Sequence, residues 1–270
     1  MNYKIVSDSA SNVFSIPNVA YDCVPLKIIT SEQEYVDTPD LDIPQMIEDL
    51  RRTKGPSGSS CPNVHEWSEA FQGADAAFAV TITSSLSGSY SAALQAALDH
   101  GNVHVIDSLT AGPEMQLLIE KLQERILAGD SFDQICQTIH TYHQHTHTLF
   151  CLESLNNLAR NGRINPAVAK IAGVLGIRVI GQASSQGTLE PLHKSRGEKK
   201  ALETIYSEMR KKGFHGGKVR ISHCLNLPAA QQLESHIRRD YPDADVELLP
   251  CTALCSFYAE KGGLIIGYEG

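Results

Sequence analysis

The chain has 270 residues, 42% of them hydrophobic, and a formal net charge of −8 at pH 7. This length allows one large domain or two modest ones, each with a substantial core. The negative charge argues against broad nucleic-acid binding and against an anionic membrane surface as the main partner, because both require a basic face.

The amino-terminal sequence, the lengths of the apolar runs and the distribution of cysteines together predict a cytoplasmic protein. The amino terminus, MNYKIVSDSA, enters a strand directly, without the basic and apolar segments of a secretion signal. The longest apolar runs are too short to cross a bilayer, so no integral membrane segment is expected. The seven cysteines are odd in number and widely spread, which favours free thiols in a reducing compartment.

The first half of the chain alternates short apolar strands with longer amphipathic helices. Strands are predicted at 2–7, 24–30, 76–82 and 103–107, and helices at 43–53, 65–72, 88–100, 112–128 and 131–146. Apolar strands separated by helices are typical of a mostly parallel sheet that is covered on both faces. We therefore predict a parallel α/β domain over residues 1–150.

The pattern changes after about residue 148, where strands become more frequent. Strands are predicted in LFCLES, IRVIGQA, GTLEPLH, GKVRISHC, ADVELLPC and GGLIIGYE, with helices in SLNNLARNGRI, PAVAKIAGVLG, 197–212 and 228–240. Gln186-Gly187 is typical of a hairpin turn between two of these strands. Residues 151–270 are therefore predicted to form a second α/β domain, with a mixed sheet.

A hydroxyl-rich segment, TITSSLSGSYSAA (81–93), joins a predicted strand to a predicted helix and contains no Lys or Arg. Its candidate ligand contacts are Ser84, Ser87 and Gly88. Ligands of parallel α/β sheets collect at the carboxyl ends of the strands, and the first turn of a helix offers unpaired N–H groups and partial positive charge. The segment therefore suits a carboxylate or a single phosphate, with simple capping of the helix by these serines as the alternative.

Two further junctions carry short polar side chains. PSGSSCPN, which contains Ser59 and Ser60, precedes a predicted helix, and the first strand ends at Asp8. Convergence of three such junctions in one sheet is a more specific signal than any single loop. The usual triphosphate loop GxxxxGK[ST] does not occur, and neither does GxGxxG after a strand.

Two other kinds of site remain open from the residues alone. SSLSGS is faintly similar to a nucleophile elbow, with His223 as a base, although GxSxG is absent. His140, His143 and His147 would share one helical face if their helix continued, which is acceptable metal-ligand geometry. No carboxylate or cysteine completes this group at an obvious spacing, and a solvated histidine-rich helix end is the simpler interpretation.

Six ordered segments resemble segments of the DegV family. They are KIVSDSASN, SGSSCPNVHEW, ITSSLSGSYSAA, VIDSLTAGPEMQLLI, SLNNLARNGRINPAVAKIAGVLGIRVI and HKSRGEKKAL. The resemblance covers nearly the whole chain and implies two α/β domains with a long-chain fatty acid between them. It implies that Ser59, Ser60, Ser87 and Gly88 hold the carboxylate, while the acyl chain lies in an apolar tunnel.

The same resemblance implies a partner and a role for two arginines. In bacteria, related proteins present the fatty acid to a separate kinase, which makes acyl phosphate for phospholipid synthesis. A non-catalytic binding subunit without a cofactor or a metal is therefore expected. Arg163 and Arg196 are implied to lie near the headgroup or on the surface that faces the kinase.

One departure from the family pattern bears on this function. Ala259 stands where the family has the His of H-x-G-P-G, and Ser59 stands where it usually has Thr. Tyr258 and Lys261 are candidates to replace the missing His. The alternative is therefore a protein that binds another small acid or lipid without a kinase partner.

Overall fold

The amino-terminal half is built on a four-stranded parallel sheet in the computed structural model, which describes residues 2–167 and 176–270. Its strands are β1 (Tyr3–Asp8), β2 (Ala20–Val24), β6 (Ala76–Thr81) and β7 (Asn102–Asp107), in the order β2-β1-β6-β7. Every residue of β6 is buried, as expected for a central strand covered on both faces. The parallel sheet predicted for this half is confirmed.

Helices connect these strands and cover the sheet. They are α1 (Ile43–Arg52), α2 (Val64–Phe71), α3 (Ser89–Ala97), α4 (Pro113–Leu127) and α5 (Phe132–His143), with a 3-10 turn at Ser9–Ser11. Asn63 and Glu66 form a capping box at the start of α2, and Ser131 and Gln134 form one at the start of α5. These reciprocal hydrogen bonds satisfy N–H groups that a helix leaves unpaired at its first turn.

A small antiparallel sheet departs from the prediction, because the strand predicted at 24–30 divides between two sheets. The second sheet consists of β3 (Lys27–Thr30), β4 (Glu34–Val36) and β5 (Ser57–Ser60), in the order β4-β3-β5. No strand is predicted for β5, whose sequence is SGSS, yet Ser59 pairs with Ile28. Pairing with a neighbouring strand outweighs the weak intrinsic strand preference of Ser and Gly.

The carboxy-terminal half is built on a six-stranded mixed sheet, as predicted. Its strands are β8 (Thr146–Leu152), β9 (Ile177–Ala183), β10 (Leu189–Arg196), β11 (Val219–His223), β12 (Val246–Pro250) and β13 (Leu264–Glu269), in the order β10-β9-β8-β13-β11-β12. β11 and β12 pair in parallel, and the other neighbouring pairs are antiparallel. The hairpin between β9 and β10 turns through Gly187, whose φ of +71° suits glycine.

Four helices lie in the described residues of this half: α6 (Asn156–Arg160), α7 (Glu198–Lys211), α8 (Leu227–Asp240) and α9 (Ala253–Ala259). The sequence does not predict α9, which is short and lies between two strands. The helix predicted in PAVAKIAGVLG falls mainly on 168–175, outside the described residues. Among the residues that are described, no helix has the length and apolar character needed to cross a membrane.

The metal hypothesis requires three histidines on one face of a helix, and α5 ends too early for this. α5 ends at His143 rather than at 146, and β8 begins at Thr146, so His147 lies on a strand. His140 and His143 therefore do not share a helical face with His147, and that part of the hypothesis is wrong. Within 2–167 and 176–270, no group of three or more His, Cys, Asp or Glu side chains is placed to hold a metal ion.

The core is continuous across the two larger sheets. Its main buried cluster contains Ile5 of the parallel sheet, Phe150 of the mixed sheet and Leu118 of α4. α4 lies directly against β13, since a Cβ added at Gly267 would stand 2.4 Å from the backbone nitrogen of Glu114. The predicted boundary between domains falls within β8, and the division into two domains stays a prediction.

Candidate ligand-binding site

A cavity of about 300 Å³ lies where the carboxyl edge of the parallel sheet meets the six-stranded sheet. The loops after β6 and β7 contribute walls, as do β5, β8 and α9. Large apolar side chains form an extended part of the lining: Leu26, Ile82, Leu86, Phe150, Leu152, Leu158, Leu189, Leu254 and Ile265. This volume and lining suit a small organic ligand with an apolar body.

Hydroxyl groups and the Arg163 guanidinium line part of this cavity. The structure brings together Ser59, Ser60, Ser87, Gly88 and Arg163, all of which are predicted site residues. The first two come from β5 and the next two from the loop that leads into α3. Two segments that are separate in sequence therefore face a common space.

Gly88 allows the two segments to approach each other. Its φ of −76° is open to any residue, so the glycine is not required for its backbone conformation. A Cβ at this position would stand 3.2 Å from Cys61 Sγ, which is tighter than ordinary van der Waals contact. Space between β5 and the start of α3 is therefore what the missing side chain provides.

Ser87 serves the helix as well as the cavity. Its hydroxyl accepts a hydrogen bond from the Ser89 N–H at 3.3 Å, at the first turn of α3. Capping, the simpler interpretation of the serine-rich loop, is therefore part of what Ser87 does. The two roles are compatible, because a hydroxyl oxygen that accepts one hydrogen bond still has a proton to donate.

Arg163 is held beside the loop that follows β6. Its Nε donates to the Leu86 carbonyl at 3.2 Å and its Nη1 donates to the Asn161 carbonyl at 2.5 Å. Among the described residues that line the cavity, Arg163 is the charged one, and none is acidic. The Arg163 guanidinium would therefore attract an anion that enters the cavity.

Asp8 lies behind the site and does not line the cavity. Its Oδ2 accepts hydrogen bonds from the Ile82 N–H at 2.9 Å and from the Ser89 hydroxyl at 2.6 Å, and its Oδ1 accepts one from the Ala10 N–H at 3.3 Å. Burial raises the pKa of Asp8 to about 7, although these hydrogen bonds act in the opposite direction. Asp8 therefore fixes both ends of the loop that carries Ser87.

Two predicted site residues lie away from the cavity. Ser84 is exposed, and its N–H donates to Asp107 Oδ1 at 3.1 Å. Arg196 is exposed at the end of β10. Neither residue belongs to the cavity lining, although both sit in segments that match the family pattern.

α9 brings a hydroxyl to the place where the family pattern has a histidine. The Tyr258 hydroxyl lies 2.7 Å from Ser59 Oγ, and Tyr258 and Ala259 both line the cavity. Lys261 is exposed and does not line it. Of the two candidates to replace the missing His, Tyr258 is the one at the site.

The wall that β8 contributes to the cavity is not predicted from the sequence. Thr148, Phe150 and Leu152 all line the cavity, because side chains two residues apart point to the same face of a strand. The period of two is visible in the sequence. A period identifies a face but does not show what that face contacts, so this signal alone does not identify the wall.

The structure does not support the alternative hypothesis of a serine hydrolase. His223 lies at the end of β11 and does not line the cavity, whereas the serines of the loop do. Burial lowers the pKa of His223, and its Nδ1 accepts a hydrogen bond from the Asn226 N–H at 3.4 Å. A base would have to lie within hydrogen-bond reach of its nucleophile.

The cavity therefore combines an extended apolar lining with hydroxyl groups and a guanidinium group. Comparison with known proteins agrees with this architecture. The profile described as "Uncharacterised protein, DegV family" matches residues 2–269. A DegV domain-containing protein of Streptococcus pneumoniae is 42% identical over 279 aligned residues, which cover 100% of this chain and 99% of the relative.

Two solved structures are similar over almost their entire length. One is the Streptococcus pneumoniae Fatty Acid Kinase (Fak) B3 protein loaded with linoleic acid, with a TM-score of 0.97, 42% identity and coverage of 100% of this chain and 99% of that one. The other is a DegV family protein from Eubacterium eligens loaded with heptadecanoic acid, with a TM-score of 0.96, 41% identity and coverage of 99% of both chains. On the strength of the whole-length profile match and these relatives, the chain belongs to the DegV family.

Proposed function

We propose that this protein binds a long-chain fatty acid in the cavity between its two larger sheets. The observation that carries the proposal is one cavity with an apolar lining and with Ser59, Ser87 and Arg163 among its polar groups. A carboxylate can accept hydrogen bonds from hydroxyls and pair with a guanidinium, and an acyl chain can fill the apolar remainder. The linoleic and heptadecanoic acids in two relatives support this ligand class.

In this proposal the acyl chain supplies most of the affinity and the polar groups set its orientation. Burying one methylene contributes about 0.8 kcal/mol, so about 14 methylenes contribute at most roughly 11 kcal/mol. One hydrogen bond contributes about 1 kcal/mol net, or about 1.5–3 kcal/mol when one partner is charged. Ser59, Ser60, Ser87, Gly88 and Arg163 form the proposed carboxylate site, with Asp8 as its support.

The first experiment is lipid extraction of the purified protein followed by mass spectrometry. A stoichiometric long-chain fatty acid is expected, and the protein freed of lipid should rebind oleic acid. The double variant Ser59→Ala with Ser87→Ala should lower that affinity roughly a hundredfold or more, because two hydrogen bonds to a charged group are lost. The free energy of unfolding should change by less than about 1 kcal/mol, since both side chains are only partly buried.

Ser91→Ala is the matched control, because Ser91 is an exposed serine on α3 that does not line the cavity. It should leave the affinity for oleic acid unchanged. A protein that carries no fatty acid and rebinds none would overturn the proposal. Equal losses of affinity and stability in the double variant would instead assign the serines to helix capping and strand packing alone.

We also propose that the protein is a non-catalytic subunit that presents the fatty acid to a separate kinase. The similarity to a Fak B3 protein supports this partner. Ala259, at the position of the family histidine, supports the alternative of a carrier without a kinase. Incubation of the loaded protein with ATP and a bacterial fatty acid kinase distinguishes the two, because acyl phosphate forms only if presentation occurs.

A further inference from the structure

A second polar cluster lies at the cavity, away from the proposed carboxylate site. Thr110, in the loop after β7, and Thr148, on β8, both line the cavity and are almost fully buried. Their hydroxyl oxygens lie 2.7 Å apart. Behind them, the Glu114 side chain accepts hydrogen bonds from the Thr148 hydroxyl at 2.7 Å and from the Thr146 hydroxyl at 2.8 Å.

The position of this cluster along the cavity follows from β8. Leu152, Phe150 and Thr148 face the cavity in turn. The Leu152 end of β8 lies beside the end of α9, because Cys151 pairs with Leu264 and a Cβ added at the preceding Gly263 would stand 2.4 Å from the Ala259 carbonyl oxygen. That end of α9 carries Tyr258, whose hydroxyl contacts Ser59 of the proposed carboxylate site. At ~3.3 Å per residue, Thr148 lies about 13 Å further along the strand than Leu152. The Thr110–Thr148 pair therefore lies toward the distal part of an acyl chain whose carboxylate is held near Ser59.

The hydroxyl groups of Thr110 and Thr148 can make a further hydrogen bond to a group in the cavity. With Glu114 ionised, Thr148 donates to it and Thr110 donates to Thr148, so Thr110 presents only acceptor lone pairs. With Glu114 protonated, the donation can run in reverse and Thr110 then has a proton to offer, with the Ala111 carbonyl a distant competitor at 3.5 Å. Burial raises the pKa of Glu114, which makes both arrangements accessible.

We propose that the Thr110–Thr148 pair, backed by Glu114, is a second polar subsite that receives a hydroxyl group on the distal half of the acyl chain. A hydroxyl both donates and accepts, so it fits the pair in either arrangement of protons. A hydrocarbon segment at the same place makes no hydrogen bond to Thr110. The protein therefore favours hydroxylated long-chain fatty acids over their unsubstituted counterparts; this rests on the fatty-acid function proposed above.

The test compares oleic acid with ricinoleic acid, which is oleic acid with one hydroxyl in the distal half of the chain. The wild-type protein, freed of lipid, should bind ricinoleic acid about fivefold more tightly, the value of one ordinary hydrogen bond. Thr110→Val removes the hydroxyl at nearly constant shape and should abolish this preference. Thr110→Ser keeps the hydroxyl without the methyl group and should retain the preference.

Ile265→Val is the matched control, since Ile265 lines the cavity without a polar group. It should shift both affinities alike and leave their ratio unchanged. Equal binding of the two acids by the wild-type protein overturns this inference but leaves the fatty-acid function standing. Loss of the preference in Thr110→Ser or in Ile265→Val also overturns it, and failure of both acids to bind overturns the proposed function with it.

Discussion

A buried carboxyl group, that of Asp8, fixes the position of the half-buried Ser87 of the proposed site. Asp8 is fully buried and joins the start of the loop after β6 to the first residue of α3. An isolated buried carboxylate is costly, so such a group is retained where several donors converge on it. The position of the Ser87 hydroxyl thus depends on a residue that does not touch the cavity.

Asp8 should make stability depend on pH in a definite direction. Its pKa of about 7 in the native state lies above the value of 3.8 expected for the unfolded chain, so the native state holds a proton that the unfolded state has lost. The free energy of unfolding therefore falls as pH rises from about 4 to about 7, by up to about 1.4 kcal/mol per pH unit.

Comparison with Asp8→Asn isolates this contribution, because other titrating groups are common to both proteins. Urea unfolding between about pH 4 and about pH 8 should show the wild-type protein losing stability relative to the variant until about pH 7. Above that pH the difference should level off. A difference that stays constant over the whole range would show that Asp8 does not titrate in this window.

At the level of helices and strands, α9 is not predicted from the sequence. The proposed binding site nevertheless requires it, because α9 carries Tyr258. Its first turn is held by Asp37, whose Oδ1 accepts from the Ala253 N–H at 2.7 Å and whose Oδ2 accepts from the Leu254 N–H at 3.1 Å. Asp37 follows β4, so the small antiparallel sheet anchors α9. The same sheet supplies Ser59, which faces Tyr258 of α9. One small unit therefore positions both partners of that hydrogen bond.

Asp37→Ala should weaken both the fold and the site. Two buried N–H groups would lose their acceptor, which should cost about 3 kcal/mol of unfolding free energy. Because α9 carries Tyr258, the affinity for oleic acid should also fall. Ser131→Ala removes the cap of α5 instead and should cost about 1 kcal/mol without changing that affinity. If the two variants alter the affinity equally, α9 is not positioned by its cap.

At the scale of the whole molecule, the two larger sheets share one buried cluster, with α4 packed between them. The cavity lies at this junction, so its walls depend on the relative placement of both sheets. Hydrogen bonds also cross the junction: the Ser85 hydroxyl donates to the Gln186 carbonyl at 2.5 Å, and the Thr252 hydroxyl donates to Asn12 Oδ1 at 2.8 Å. A shared core of this kind favours cooperative unfolding.

Unfolding should accordingly be a single transition. Trp67, the one tryptophan of the chain, is fully buried in the amino-terminal half and reports on that half by fluorescence. Circular dichroism in the far ultraviolet reports on the helices of both halves. The two signals should change at the same urea concentration. Separate midpoints would show that the halves unfold independently, in support of the predicted division into two domains.

Local sequence patterns were sufficient to predict the order and type of most elements and the two sheet classes. The period of apolar residues in helices such as α4, and the continuous apolar run of β6, are local signals and are sufficient for this. Short polar residues at strand and helix ends also indicated Ser59, Ser60, Ser87 and Gly88 as site residues, and the family resemblance added Arg163. Local patterns do not predict a strand that forms because it pairs with a neighbouring strand. This is the case for β5 and for the start of β8, which follows soon after the end of α5.

Which of these residues line one cavity depends on how the helices and sheets pack. The tertiary structure placed Asp8 behind the site, left Ser84 and Arg196 outside the cavity, and brought Tyr258 to Ser59. It also joined Glu114 to the cavity through Thr148. Each of these contacts spans many residues of chain, and no periodicity encodes them. They arise from the way helices and sheets pack to exclude water, which is a property of the whole chain.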